Sequence, residues 1–337
     1  MLKKLKLTKL FMIIIALTIL FSQNGNSANS LILTIFVNEL YNITNPIIIN
    51  GSLTLNGSPV TDGLVSMQVN DPEGNIFAMR VLATGLTPQE PWAVEIVNFY
   101  LCDANGNPKS EFKRGGALGY KLTVQNNQAS PQKTMVFLTF TYSNENPFSV
   151  LIAINETLEP GLPRTSFRYI EEFIPSDAPI GPAYVYVTAV NNLPQYEGIA
   201  LCPENSITFN ITSSSGGLII NNKHQTAILS ESTPGNFSAT IKISDSGGML
   251  GNYTIYATSW YDFFFAQETK VFEAILLSDV NRDGTVDMAD ISILIDKFMS
   301  TPTDPEWDPK CDINNDGTVD MADISIAIED FLKWGHY

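Results

Sequence analysis

Ala183-Tyr-Val-Tyr-Val-Thr188 alternates small or branched apolar residues with aromatic or hydroxyl ones, the period-2 signature of a strand with two different faces. The pattern recurs upstream as Leu138-Thr-Phe-Thr-Tyr142 and downstream as Tyr253-Thr-Ile-Tyr-Ala-Thr258. Asn-Gly, Pro-Gly and Gly-Gly pairs punctuate these runs where hairpins need a turn, and no long helical stretch interrupts about 250 residues. Each such strand is expected to bury one face and expose the other. The expected fold class is therefore mainly β, with short strands assembled into immunoglobulin-like sandwiches.

Outward from this region toward the last residues the pattern changes. Asp283 to Ile293 reads DGTVDMADISI, and the same eleven residues recur from Asp316 to Ile326, a period of 33. Each copy lies in a twelve-residue loop with oxygen-bearing side chains at positions 1, 3, 5, 9 and 12. These are Asp279, Asn281, Asp283, Asp287 and Asp290 in the first loop and Asp312, Asn314, Asp316, Asp320 and Asp323 in the second. A hard cation takes six to eight oxygens, and the backbone carbonyls of Thr285 and Thr318 at position 7 extend each set. Gly284 and Gly317 fall at position 6, where the loop turns sharply. The chemistry expected is two Ca2+ ions, one per loop.

After each loop the apolar residues fall at helical spacing, Ile291, Leu294, Ile295 and Phe298 in one copy and Ile324, Ala327, Ile328 and Phe331 in the other. Before Asp279 the chain reads TKVFEAILLS, with no entering helix. Duplicated F-hand loops with Asp rather than Glu at position 12, and without an entry helix, resemble the type I dockerin family over about residues 278 to 337. The resemblance implies a small α-helical module of paired EF-hand-like loops that docks onto a cohesin. Loop positions ten and eleven, which read the partner in that family, correspond to Met288 and Ala289 and to Met321 and Ala322.

A second resemblance lies near the other end. IIINGSLTLNGSPVTDGLVSMQVNDPEGNIF, residues 47 to 77, is similar to macroglobulin-like and bacterial Ig-like surface domains, but the closing half of that pattern appears only in GNFSATIKISDSGGMLGNYTIYA, residues 235 to 257. The expected organisation is a signal peptide over 1–28, a first sandwich over 29–108 completed by 213–276, a second sandwich over 109–212 inserted into it, and the dockerin-like module over 277–337. An inserted domain brings its two ends together. Cys102 and Cys202 flank the insert, so a disulfide between them is expected in an exported chain, leaving Cys311 as a small packing residue.

Export is expected because Lys3, Lys4, Lys6 and Lys9 precede an apolar run from Leu10 to Phe21 and a polar stretch ending near Ala28. Twelve apolar residues are too few for a stable membrane span after cleavage. Sequons begin at Asn42, Asn50, Asn56, Asn155, Asn210, Asn236 and Asn252, all between signal and loops. Losing the signal lowers the basic residues from 19 to 15 against 35 acidic ones, moving the net charge from −16 to −20 and excluding nucleic acid as a partner. Half of that charge sits in 278–337.

Catalytic signals are thin. The two histidines, His224 and His336, lack a nucleophile motif beside them. Glu95, Glu111, Glu171, Glu172 and Asp177 are the carboxylates available for sugar hydrolysis, and scattered solvated positions suit them better. Trp260, Tyr261, Phe263, Phe264 and Phe265 crowd the segment SWYDFFF, a place where rings either close the sandwich or stack on a sugar. The function expected is a secreted, non-catalytic protein that displays Ig-like domains and docks through a calcium-dependent dockerin onto a cohesin-bearing scaffold or cell surface. The alternative is a sugar-binding or hydrolytic component of an extracellular polysaccharide-degrading complex, with carbohydrate as its partner.

Overall fold

The computed structural model describes residues 30–86, 88, 91–213 and 233–337; the expected signal peptide and His224 lie outside them. The chain first lays down β1 (Leu31–Phe36), β2 (Leu40–Asn42), β3 (Ile47–Leu55), β4 (Ser58–Pro59), β5 (Leu64–Asn70) and β6 (Ile76–Ala83). It continues through β7 (Val94–Cys102), β8 (Glu111–Lys113), β9 (Leu118–Asn126), β10 (Gln132–Tyr142), β11 (Pro147–Leu158), β12 (Arg164–Ile170), β13 (Gly181–Val190) and β14 (Asn205–Thr212). Next come β15 (Asn236–Ile241), β16 (Ser246–Met249), β17 (Gly251–Tyr261) and β18 (Phe264–Ile275), then α1 (Met288–Asp296), α2 (Met321–Glu329) and β19 (Trp334–His336). The molecule is mainly β with a small helical part.

Strands from the two ends of the β region share sheets. β15 pairs antiparallel with β3, and β17 pairs antiparallel with β5. The sheets β1-β3-β15 and β2-β18-β17-β5-β6 enclose one core, in which Ile47, Ile49, Leu53, Val65, Phe237, Ile255 and Phe272 are buried. β7 to β14 form the sheets β11-β10-β13-β14-β8 and β12-β9-β7 around a second core of Val136, Leu138, Phe140, Val185, Val187 and Phe209.

The expectation of one exposed face fails in the middle of the molecule. On β13, Ala183, Val185 and Val187 enter the second core as the alternation requires, yet Thr188 and Val190 on the opposite face are buried too. That face packs on the first sandwich. Met79 and Val81 of β6 meet Met135, Phe137 and Val190 in an apolar seam, which is why β10 is buried along most of its length on both sides.

Several polar groups inside this seam find partners across it, although the Thr188 hydroxyl is buried without one. The Thr139 hydroxyl donates to the Met79 carbonyl at 3.0 Å and accepts from the Met79 N–H at 3.2 Å. Ser66 and Thr258 of the first sandwich share a 2.7 Å hydroxyl contact, and both donate to the Gly198 carbonyl of the second. Arg80 forks onto Glu204, Nε to Oε2 at 3.0 Å and Nη2 to Oε1 at 2.9 Å, while its guanidinium lies 3.6 Å from the centre of the Tyr186 ring. Burial alone works against the Arg80 charge, but Glu204, with Tyr186 and Glu145, outweighs it and raises the pKa. Tyr186 in turn donates to Glu145 at 2.9 Å, and burial pushes the Glu145 carboxyl above its ordinary value.

The expected Cys102–Cys202 disulfide is corrected: both cysteines are free and buried, as is Cys311. Cys102 ends β7 and packs against Gly119, whereas Cys202 follows Leu201, whose carbonyl accepts from the Val94 N–H at the start of the same strand. Eight residue steps separate those strand ends, roughly 25 Å at about 3.3 Å per residue, against a reach of about 7 Å between bridged Cα atoms. Burial raises the thiol pKa of Cys102 to about 11 and of Cys202 to about 12, which keeps both unreactive in the folded state.

The Arg80–Glu204 pair yields a stability test. Arg80→Met strands a buried carboxylate and is expected to cost about 3–5 kcal/mol in urea unfolding, whereas Arg80→Met combined with Glu204→Leu should recover most of that loss. Equal destabilisation of the single and double variants would show that the pair is not the source.

Candidate calcium centre

β18 runs directly into the first acidic loop with no helix before it, so the apolar TKVFEAILLS segment is strand and lead-in. Inside the loop the carboxylates fold the backbone around themselves. Asp279 accepts from the N–H of Asp283 at 3.1 Å and of Gly284 at 2.8 Å, and Asp290 accepts from Asn281 at 3.1 Å and Asp287 at 2.9 Å. The second loop repeats this bond for bond. Asp312 accepts from Asp316 and Gly317 at 3.0 and 2.9 Å, and Asp323 from Asn314 and Asp320 at 3.1 and 2.8 Å.

The turn at position 6 explains both glycines. Gly284 and Gly317 have φ of 94° and 91°, a region in which a Cβ is strained. Asn281 and Asn314 each accept from the position 5 N–H and donate to the position 5 carboxylate, which ties ligand positions 3 and 5 together.

Position 9 has a second task that the spacing of ligands did not reveal. Asp287 is the N-cap of α1 and accepts from the Ala289 N–H at 2.6 Å, while Asp290 reaches back to complete a capping box. Asp320 and Asp323 do the same for α2, with 2.7 Å to the Ala322 N–H. The signal was present in D-x-x-D immediately before an apolar run.

Do these residues fit a divalent cation? Among the described residues no three His, Cys, Asp or Glu side chains are already drawn into a finished cage. The donor set is nevertheless all hard oxygen. Asp290 and Asp323 are fully buried, and Asp279 and Asp312 nearly so. Burial raises the Asp279 pKa, and the charges of Asp290 and Asp283 push the same way against the loop N–H bonds. Buried carboxylates that repel one another and keep unused lone pairs are the electrostatic complement of Ca2+, so the fit is good. Asp279, Asn281, Asp283, the Thr285 carbonyl, Asp287 and Asp290 would hold one ion, and Asp312, Asn314, Asp316, the Thr318 carbonyl, Asp320 and Asp323 a second.

The helices split the stripe read from the sequence. Ile291 and Leu294 of α1 pack on Ile324 and Ala327 of α2, with Cys311, Ile313 and Val319 filling the small core. Ile295, Phe298, Ile328 and Phe331, expected on the same faces, are exposed. Met288, Ala289, Met321 and Ala322 are exposed as well, on the first turn of each helix. Val286 and Val319, at position 8, were not singled out by the spacing. Val286 pairs through its backbone with Leu332 and Lys333, and Val319 with Met299 and Ser300.

The carboxylates considered for hydrolysis do not converge. Glu95 lies on β7, Glu111 on β8, and Glu171, Glu172 and Asp177 between β12 and β13; the two cavities described, of about 880 and 220 Å³, are lined by none of them. Trp260 and Phe265 face each other across the β17–β18 hairpin, with Phe263 at its tip. Among the described residues no helix is long and apolar enough to cross a membrane.

Residues 277–332 match the family model of the dockerin type I domain, and such domains bind calcium. No curated protein matches the chain. Solved structures similar to parts of it include Pseudomonas fluorescens alkylpurine DNA glycosylase AlkC bound to DNA containing an abasic site analog, at 17% identity over 36% of this chain and 31% of that one, with a TM-score of 0.27. The C-terminal domain of wzt aligns at 10% identity over 41% of this chain and 86% of that one, with a TM-score of 0.31. Beta-glucosidase from Listeria innocua in complex with glucose aligns at 14% identity over 36% of this chain and 16% of that one, with a TM-score of 0.23. The chain thus spans under a third of the glycosylase and under a fifth of the glucosidase.

The loops predict metal-dependent folding of the helical part. EDTA should abolish its helical circular dichroism and calcium restore it, because the carboxylates repel until neutralised. Asp283→Ala and Asp316→Ala should each remove one equivalent of bound calcium in a calorimetric titration. Helix that persists unchanged in EDTA would defeat this account.

Proposed function

We propose that the chain is an exported, non-catalytic protein in which two calcium ions fold a dockerin that attaches two Ig-like domains to a cohesin-bearing scaffold or cell surface. The expected boundary at 108/109 is moved to about 93/94, because β7 lies in a sheet of the second sandwich: the domains are proposed as a first sandwich from 30 to about 93, completed by 233–276, and a second from about 94 to 212. The dockerin runs from 277 onward. The observation that carries the reading is a duplicated apolar surface. Met288 and Met321 are 60% and 58% exposed, Ile295 and Ile328 are 58% and 56% exposed, and Phe298 and Met299 have exposed counterparts in Phe331 and Leu332. Small modules rarely leave four large apolar side chains in water on and just beyond each of two helices unless a partner covers them.

The two surfaces are nearly equivalent, so either can seat the partner. Changing Met288 and Ala289 to charged residues should shift the Kd for a cognate cohesin by no more than about threefold, since the module can turn by half a revolution and present Met321 and Ala322. Changing all four should abolish binding, and EDTA should abolish it in every variant. Loss of binding after the first pair alone would show that one copy reads the partner. Retention after all four would place the interface elsewhere.

A second reading is supported by the β17–β18 tip, where Phe263 is 86% exposed at φ 68° and Trp260 is half exposed. A bulky ring held in the left-handed region and left in water is costly for folding alone. Such rings stack on sugars. A glycan array probed with the full chain and with Trp260→Ala should then show binding lost in the variant. No binding by the full chain would leave docking as the whole function.

A further inference from the structure

The twin loops are alike in their own bonds and unlike in what lies against them. β19 is inserted between the first loop and the first sandwich. On one side the Gly335 N–H donates to the Gly284 carbonyl at 2.9 Å, and Val286 exchanges bonds with Lys333 and Leu332 at 3.0 and 2.9 Å. On the other side β19 pairs parallel with β16, Ser246 opposite Trp334 and Met249 opposite His336, and the Leu250 N–H donates to the His336 carbonyl at 2.6 Å.

Three glycines let these backbones approach. A Cβ on Gly284 would lie 2.8 Å from the Gly335 carbonyl, one on Gly335 would lie 2.7 Å from both the Gly248 carbonyl and the Leu250 side chain, and one on Gly247 would lie 2.9 Å from the Trp334 ring. Val286 is fully buried and joins the core of the first sandwich, not that of the helices. The second loop repeats only the position 8 exchange, Val319 with Ser300 and Met299 at 3.0 and 2.7 Å, and keeps it within the helical module. A Cβ on Gly317 would meet nothing within 4 Å, and Val319 packs inside the helical core.

We propose that β19 is a clasp that couples the first calcium loop, and not the second, to the first sandwich. Gly284 and Val286 occupy positions 6 and 8, between the ligands at 5, 7 and 9, so the ion that orders those ligands also fixes the backbone edge on which residues 332–335 pair. A three-residue strand does not hold itself in place. Without that edge it lets go of β16, and the helical module swings free of the sandwich. An ion in the second loop orders the helices but leaves this contact untouched. The clasp rests on the assignment of calcium to the loops.

Hydrogen exchange of the full chain, read by mass spectrometry on peptides covering 246–250 and 332–337, separates the two ideas when run beside a calorimetric count of bound calcium. In calcium, Asp283→Ala should speed exchange of these peptides by about tenfold or more, whereas Asp316→Ala should leave them within about twofold. Gly335→Val should speed exchange in 246–250 while calcium still binds at two sites, and a chain ending at Lys333 provides the same test without introducing a clash. Equal effects of the two Asp variants, or none from either while calcium binds, would overturn the clasp and leave the calcium assignment standing. Absence of calcium binding in the unaltered chain would overturn both.

Discussion

The molecule depends on the burial of one sheet face of each sandwich against the other. That contact makes β6 and β10 core strands on both sides, and it removes from water the hydroxyls of Ser66, Thr139 and Thr258 together with the Arg80–Glu204 pair. Its apolar part is small, so the polar partners decide the register: a carbonyl at Gly198 for two hydroxyls, a carboxylate at Glu204 for one guanidinium. Each group left unpaired there would cost more than the bond it makes contributes. The result is a rigid pair of β units rather than two beads on a string.

Much of this was readable beforehand. Period-2 alternation identified the strands, and the repeated D-x-N-x-D-G loops identified the helical module with its register. Local chemistry writes both signals into neighbouring residues. What the alternation could not say is whether the face bearing Thr139 and Thr188 meets water or another sheet, because a threonine suits either when a partner atom sits opposite. The cysteines misled for a related reason. Cys102 lies inside the second sandwich and not just before it, and β7 carries it to the far end of its strand from Cys202. Helical spacing identified an apolar stripe, yet nine-residue helices with one neighbour bury only Ile291 and Leu294, or Ile324 and Ala327, of its apolar residues.

The charge distribution follows the same division. In the β region the buried charges are few and matched, as at Arg80. In the helical module like charges are stacked at Asp279, Asp283 and Asp290 and need an external cation to offset them. Stability of the one part rests on internal pairing, whereas a cation bound in the loops would raise the stability of the other.

The pairing of β3 with β15 also sets an order of events during synthesis. β1 to β6 leave the ribosome long before β15 and β17, so β3 and β5 wait with open edges while β7 to β14 close a complete core of their own. The contact at Gly51, where the Phe237 ring fills the space a Cβ would take, cannot form until the chain beyond the second sandwich is made. Synthesis from the N-terminus therefore lets the second sandwich close before the first, and the interval between them is when the unpaired strands are open to aggregation and most in need of a holding chaperone.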